Sequence, residues 1–179
     1  MTEDDLFGLM DPPLRERGST SEPGEEFLRP ALDVVRYYGR PVKWNAMPVL
    51  GRALSVVAVV RQPLDLAISD DGYGQLLVRV SMAVGGRFPL WKAAVLGLAV
   101  VVLTYEPIGL ADEEILDRVL AAPLRRYRAV PFGLIRVNLG QEAVAYSLRA
   151  SPGRLFPEAQ VLAVRLGESL RRFLPPLEF

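Results

Sequence analysis

The run AAVLGLAVVVL, residues 93 to 103, is the most apolar stretch of the chain and constrains its fold more than any other feature. A membrane-crossing helix needs about 20 apolar residues. This run is shorter, closed by Lys92 on one side and by Thr104, Tyr105, Glu106 and Pro107 on the other. Its second half is β-branched and ends in Tyr105, a composition that suits a strand covered on both faces. The run is therefore expected to be a buried central strand over about 94–105 that holds the fold together, with no membrane span and no chemistry of its own.

Periodicity divides the rest. Phe27, Ala31, Val34, Val35 and Tyr38 fall at spacings of three and four, which predicts a helix ended by Gly39 and Pro41. RALSVVAVVR, residues 52 to 61, reads as a strand. Asp71-Gly72 is a hairpin signal, and QLLVRVSMAV, residues 75 to 84, reads as the returning strand, followed by a turn at Gly85-Gly86-Arg87. Asp112 is placed to cap a helix whose stripe is Ile115, Leu116, Val119, Leu120, Leu124 and Tyr127, with a kink or an early end near Ala122 where Pro123 interrupts it. Residues 132–139 and 143–150 are expected to form a hairpin across Gly140-Gln141-Glu142, and a last helix opens at Pro157 with Leu162, Leu166, Leu170 and Leu174 in its stripe and stops at Pro175-Pro176. The expected fold is α+β: an antiparallel sheet of about five strands packed with three helices, in the order α-β-β-β-α-β-β-α.

Residues 1–26 stand apart. Eight acids (Glu3, Asp4, Asp5, Asp11, Glu16, Glu22, Glu25, Glu26) face two bases (Arg15, Arg17), a net of −6. Because the whole chain is neutral, residues 27–179 carry +6. With Pro12, Pro13 and Pro23 also present, this stretch reads as an acidic leader without regular structure, and 27–179 as a single domain. The patch Leu6, Phe7, Leu9 and Met10 is then a candidate docking peptide for the basic body or for a partner. On that reading, deleting residues 1–24 leaves the fold intact. The acidic start is unlike the basic beginning of a secretory signal, so the cytoplasm is the expected compartment.

The chain has no cysteine and no histidine. Disulfides, thiolate nucleophiles, cysteine metal sites, serine–histidine–aspartate hydrolysis and HExxH proteolysis are thereby excluded. Neither GxGxxG nor GxxxxGK[ST] occurs. The acids Glu106, Asp112, Glu113, Glu114 and Asp117 lack the spacing of a calcium loop. Asp65, Asp70 and Asp71 suit a turn. No catalytic residue, cofactor or metal is assigned. The remaining candidates for partner binding are the exposed-type aromatic Trp91 and the cluster Arg125, Arg126 and Arg128, beside Leu6, Phe7, Leu9 and Met10.

The segment VVVLTYEPIGLADEEILDRVLAAPLRRYRAVPFGLIRVNLGQEAVAYSLRASP, with its strand, acidic helix start, Pro-Phe-Gly entry to a hairpin and closing helix, resembles the type III secretion chaperone-like fold, including the YbjN-type bacterial proteins. The resemblance implies a cytoplasmic, non-enzymatic protein-binding module, commonly a homodimer, with no catalytic residues to carry over. Its partner is another protein or a second copy of itself, and nucleic acid is disfavoured. Two alternatives use residues already named: a carboxylate-using enzyme working through Asp70 or Glu106 on an apolar pocket, and an anion- or nucleic-acid-binding protein working through Arg125, Arg126 and Arg128.

Overall fold

The computed structural model describes residues 1–28, 31–43, 52–88, 95–122, 129–150 and 155–172. In chain order these form α1 (Glu3–Glu16), β1 (Thr20–Leu28), β2 (Ala31–Lys43), β3 (Arg52–Arg61), α2 (Asp70–Arg87), β4 (Val95–Thr104), α3 (Ala111–Ala121), β5 (Val130–Asn138), β6 (Ala143–Leu148), α4 (Glu158–Ser169) and β7 (Arg171–Arg172). The strands make one sheet in the order β1-β2-β3-β4-β5-β6-β7. β3, β4 and β5 run parallel, joined by crossovers through α2 and α3, while β1-β2, β2-β3 and β5-β6 are antiparallel. Among the described residues the fold is thus α+β with four helices and a seven-strand mixed sheet, not the antiparallel five-strand sheet with three helices that periodicity suggested. The element order implied by the secretion-chaperone resemblance is not the one observed.

The apolar run does form a buried central strand. Along β3, Val56, Ala58 and Val60 pack beneath α2 and α3, and the intervening Val57 and Val59 pack beneath α1 and α4. β4 repeats the pattern, with Leu98, Val100 and Val102 on the first face and Ala99, Val101 and Leu103 on the second. A strand with helices on both sides has no wet face, so its sequence is a continuous apolar run rather than an alternation.

Two elements reverse type. Residues 75–84 are helical, not a strand. Ser69 is the N-cap, its hydroxyl accepting from Gly72 N at 3.1 Å, and Tyr73, Leu76, Leu77, Val80 and Val84 are all buried along one stripe. The same residues alternate by chance. Strict alternation would put Met82 on the same face as Leu76 and Val80, and Leu77 and Ser81 on the other, but on the helix Met82 is exposed while Leu77 and Ser81 are buried. Gly72 is required here because a Cβ would lie 2.1 Å from the Ala67 carbonyl oxygen. Residues 27–38 reverse the other way. The predicted helix is the β1–β2 hairpin, with Phe27 opposite Leu32 and Pro23 opposite Arg36. β-branched residues on a strand covered from both sides mimic a helical stripe. Pro41 is tolerated because the β1–β2 register ends at Thr20–Gly39, leaving β2 one neighbour beyond that point.

The leader is also ordered, contrary to the expectation from its charge. Thr2 and Asp5 form a reciprocal capping box that starts α1. Leu6, Phe7, Met10 and Leu14 are buried against β2, β3, β4 and β5. Burying a side chain of this size contributes about 1.5–3 kcal/mol. An interior proline costs about 3 kcal/mol, so four such side chains and a cap outweigh Pro12 and Pro13. The carbonyl that Pro12 leaves without its helical donor belongs to Gly8, on the exposed side. Opposite charges do meet, as defined pairs: Glu3 with Arg61, Asp11 with Arg36, and Glu22 and Glu25 with Arg87. Among the described residues no helix is long and apolar enough to cross a membrane.

Close packing at the amino ends of the parallel strands gives a first prediction. A Cβ at Gly97 would lie 2.4 Å from the Phe156 ring, which stacks on Phe132 with centroids 4.9 Å apart. Gly97→Ala forces that pair to shift and is expected to cost about 1–3 kcal/mol, the usual penalty of overpacking. The urea midpoint should fall with an unchanged slope, and an unshifted midpoint would show that the ring moves freely.

Candidate functional site

The parallel strands β3, β4 and β5 place their carboxyl ends along one edge of the sheet. That edge is formed by Arg61 and Gln62 at the end of β3, Thr104 to Glu106 at the end of β4, and Leu139 just after β5. A cleft of about 820 Å³ opens there. Its walls are largely apolar: Phe27, Leu28, Leu32, Pro63, Leu64, Leu103 and Leu139. Leu28 is 84% exposed, Tyr105 is 80% exposed, and Leu64 is fully exposed. Three large apolar or aromatic side chains therefore stand in solvent around one opening.

The β4–α3 loop that forms one lip is fastened by side chains from β4, β5, the β5–β6 turn and α3. Asn138 Nδ2 donates to the Glu106 carbonyl at 2.7 Å, and Arg136 Nη2 donates to the same oxygen at 3.2 Å. Thr104 Oγ1 accepts from Glu106 N at 3.0 Å. Gln141 Oε1 accepts from Ile108 N at 2.8 Å, and Asp112 Oδ2 accepts from Gly109 N at 2.6 Å. Asp112 is thus not the N-cap of α3, a place taken by Leu110; it ties the loop and pairs with the fully buried Arg136. Tyr105 and Glu106 sit on a preorganised lip.

Charge on the cleft is uneven. Its lining includes five carboxylates, Glu3, Glu26, Asp33, Asp65 and Glu106, against the single cation Arg61, a formal −4. Arg61 is already claimed: its Nε and Nη2 donate to Glu3 at 2.8 and 2.9 Å, and its Nη1 donates to Asp33 at 2.5 Å. Gln62 Nε2 donates to Glu106 at 3.1 Å. Its carbonyl oxygen Oε1 is buried and has no hydrogen-bond partner among the described residues.

The residues singled out by sequence fall in different places. Leu6, Phe7 and Met10 form the buried face of α1 in the core, with Leu9 partly buried beside them, so they line no free surface. Trp91, Arg125, Arg126 and Arg128 lie outside the described residues. Glu106 lines the cleft and Asp70 does not. Asp70 is held below the usual carboxylate range by hydrogen bonds from Arg118 Nε and Nη2, at 2.8 and 3.1 Å, opposite to what a general base requires. No group of three potential metal ligands occurs among the described residues. Sequence reading missed Leu28, Leu64 and Tyr105. Their only signal was an apolar residue beside a turn, and which turns share an edge depends on strand order.

A second buried polar cluster lies towards the opposite end of the sheet. Glu158 accepts from Ser55 Oγ at 2.5 Å and pairs with Arg40, whose Nη2 also donates to the Leu155 carbonyl at 3.1 Å. With Ser55 and Glu158 both buried, this arrangement tethers α4 to β2 and β3 and offers no approach to a substrate. Nearby, a depression of about 850 Å³ is lined by Arg17, Arg149 and Arg165 among others. It is more polar than the carboxyl-end cleft, and it lies at the amino ends of the strands.

Buried tyrosines give a prediction for alkaline pH. Burial raises the hydroxyls of Tyr37 and Tyr73 to about 12, with Glu25 adding to the effect at Tyr37. Burial and the hydrogen bond to Asp11 raise Tyr38 further. Unfolded tyrosines ionise near pH 10. The native state therefore keeps protons that the unfolded state releases, and stability falls as pH rises from about 10 through 12. Absorbance at 295 nm should show three of the six tyrosines ionising only as the protein unfolds. Titration of all six near pH 10 in the folded protein would contradict this.

Compared with protein-family models, with curated proteins and with solved structures, the chain has no match in any of the three.

Proposed function

We propose that the protein is a non-enzymatic binding module that holds an apolar segment of another protein in the cleft at the carboxyl ends of β3 and β4. The observation that carries this reading is the exposure of Leu28, Leu64 and Tyr105 around one opening of about 820 Å³. Large apolar side chains clustered in solvent mark an interaction surface, and aromatic anchors contribute most where they are fully desolvated by a partner. The fastened β4–α3 lip limits the ordering cost of binding. The partner is taken to be a different chain in the cytoplasm rather than a second copy. β1 is an edge strand bearing Glu22, Pro23, Glu25 and Glu26, and pairing it with itself would bring like charges together.

Fluorescence anisotropy with a labelled, uncharged peptide alternating leucine and serine tests the reading. Saturable binding is expected, weakened about tenfold by Leu64→Asp, a change of about 1.4 kcal/mol. Leu64 is fully exposed, so the substitution leaves the fold unaffected. No saturable binding, or equal binding to wild type and Leu64→Asp, overturns it.

A further inference from the structure

We infer that the segment held in the cleft is basic as well as apolar: leucine-like side chains flanked by arginine or lysine. This rests on the reading of the cleft as a protein-binding site and adds the chemistry of the partner. The inference follows from which carboxylates are already neutralised. Glu3 and Asp33 are satisfied by Arg61. Glu26 is exposed and has no ion pair among the described residues. Asp65 meets Arg79 only at 3.5 Å, with most of its side chain in solvent. Glu106 receives Gln62 Nε2 at 3.1 Å and lies 3.9 Å from Arg136, its side chain half exposed.

Three weakly compensated carboxylates thus rim an apolar floor, one each from β1, the β3–α2 loop and the β4–α3 loop. A segment with acidic flanks meets like charge there, which suppresses wrong partners, whereas a basic one is steered in and fixed in register. Nucleic acid is repelled by the same field. The cleft's own guanidinium cannot recruit an acidic partner without giving up Glu3 and Asp33.

The test compares three labelled peptides of equal length: the leucine–serine probe, a version with arginine at the serine positions, and one with glutamate there. At low salt the arginine peptide should bind about tenfold more tightly than the neutral one, and the glutamate peptide more weakly. The arginine advantage should collapse in 1 M salt, where the Debye length is about 3 Å. It should also collapse in the triple variant Glu26→Gln, Asp65→Asn, Glu106→Gln, while neutral-peptide binding persists. Equal binding of arginine and glutamate peptides overturns the inference but leaves the binding reading standing. Failure of all three peptides overturns both. A dimer of the protein alone at tens of micromolar, abolished by Leu64→Asp, would make a second copy the occupant and also overturn it.

Discussion

Removing residues 1–18 should abolish cooperative unfolding and leave an aggregation-prone chain. α1 shares one face of the sheet with α4, and removing Leu6, Phe7, Met10 and Leu14 opens the cluster they form there with Tyr38, Val57, Val59, Val101, Ile135 and Val137. Truncating a buried leucine or methionine to alanine costs about 2–5 kcal/mol. Four such losses reach the entire stability of a typical domain, about 5–15 kcal/mol. The polar contacts go as well: Tyr38 Oη to Asp11 at 2.6 Å, the Arg36 guanidinium over the Phe7 ring at 3.7 Å, and the terminal amine on Glu142 at 2.9 Å. Since the truncated chain will resist purification, Leu14→Ala provides the quantitative arm, with an expected loss of about 2–5 kcal/mol in urea. A truncated protein with the wild-type urea midpoint would return α1 to the status of a dispensable leader.

Asp112→Ala should destabilise the protein by about 3–5 kcal/mol, the cost of leaving a buried charge without its partner. Arg136 is fully buried between β5 and α3, and its principal counter-charge is Asp112, Glu106 being 3.9 Å away and half exposed. Arg136 Nε and the Tyr73 hydroxyl have no hydrogen-bond partners among the described residues, so little remains to compensate. The double variant Asp112→Leu, Arg136→Met should recover most of the loss, because replacing a buried ion pair by apolar groups is often neutral or stabilising. It should still loosen the cleft, since Arg136 holds the Glu106 carbonyl. Urea unfolding reads the first effect, and hydrogen exchange at Ile108 N and Gly109 N reads the second. If Asp112→Ala lost under 1 kcal/mol, Arg136 would have found solvent, and its burial would not survive in solution.

The central strand within the apolar run, the strand 52–61, the helix that follows the acids at 112–114 and the hairpin across Gly140 were legible because each carries one dominant local pattern. The strand at 75–84 and the helix at 27–38 were misread because each stretch satisfies two periods at once. Ser69, as a capping side chain, was the local signal that favoured helix for the former. The net charge of residues 1–26 does not predict their order, because order there depends on a buried stripe and on individual ion pairs. Leu6, Met10 and Leu14 recur every four residues as a helical stripe, and the acids meet specific arginines on β2, β3 and α2.

By itself the sequence determined what chemistry was absent and which segments had to be buried, because both follow from residue types and local periodicity. Without histidine or cysteine, whole reaction classes are closed to the described fold and to any other. Tertiary structure alone decided the cleft. Leu28, Leu64 and Tyr105 are separated by long stretches of chain and share an opening only because β1, β3 and β4 end at one edge of the sheet. Strand order is set by which crossovers bury the most apolar surface on both faces. That is a property of the whole chain, so no local window of residues contains it.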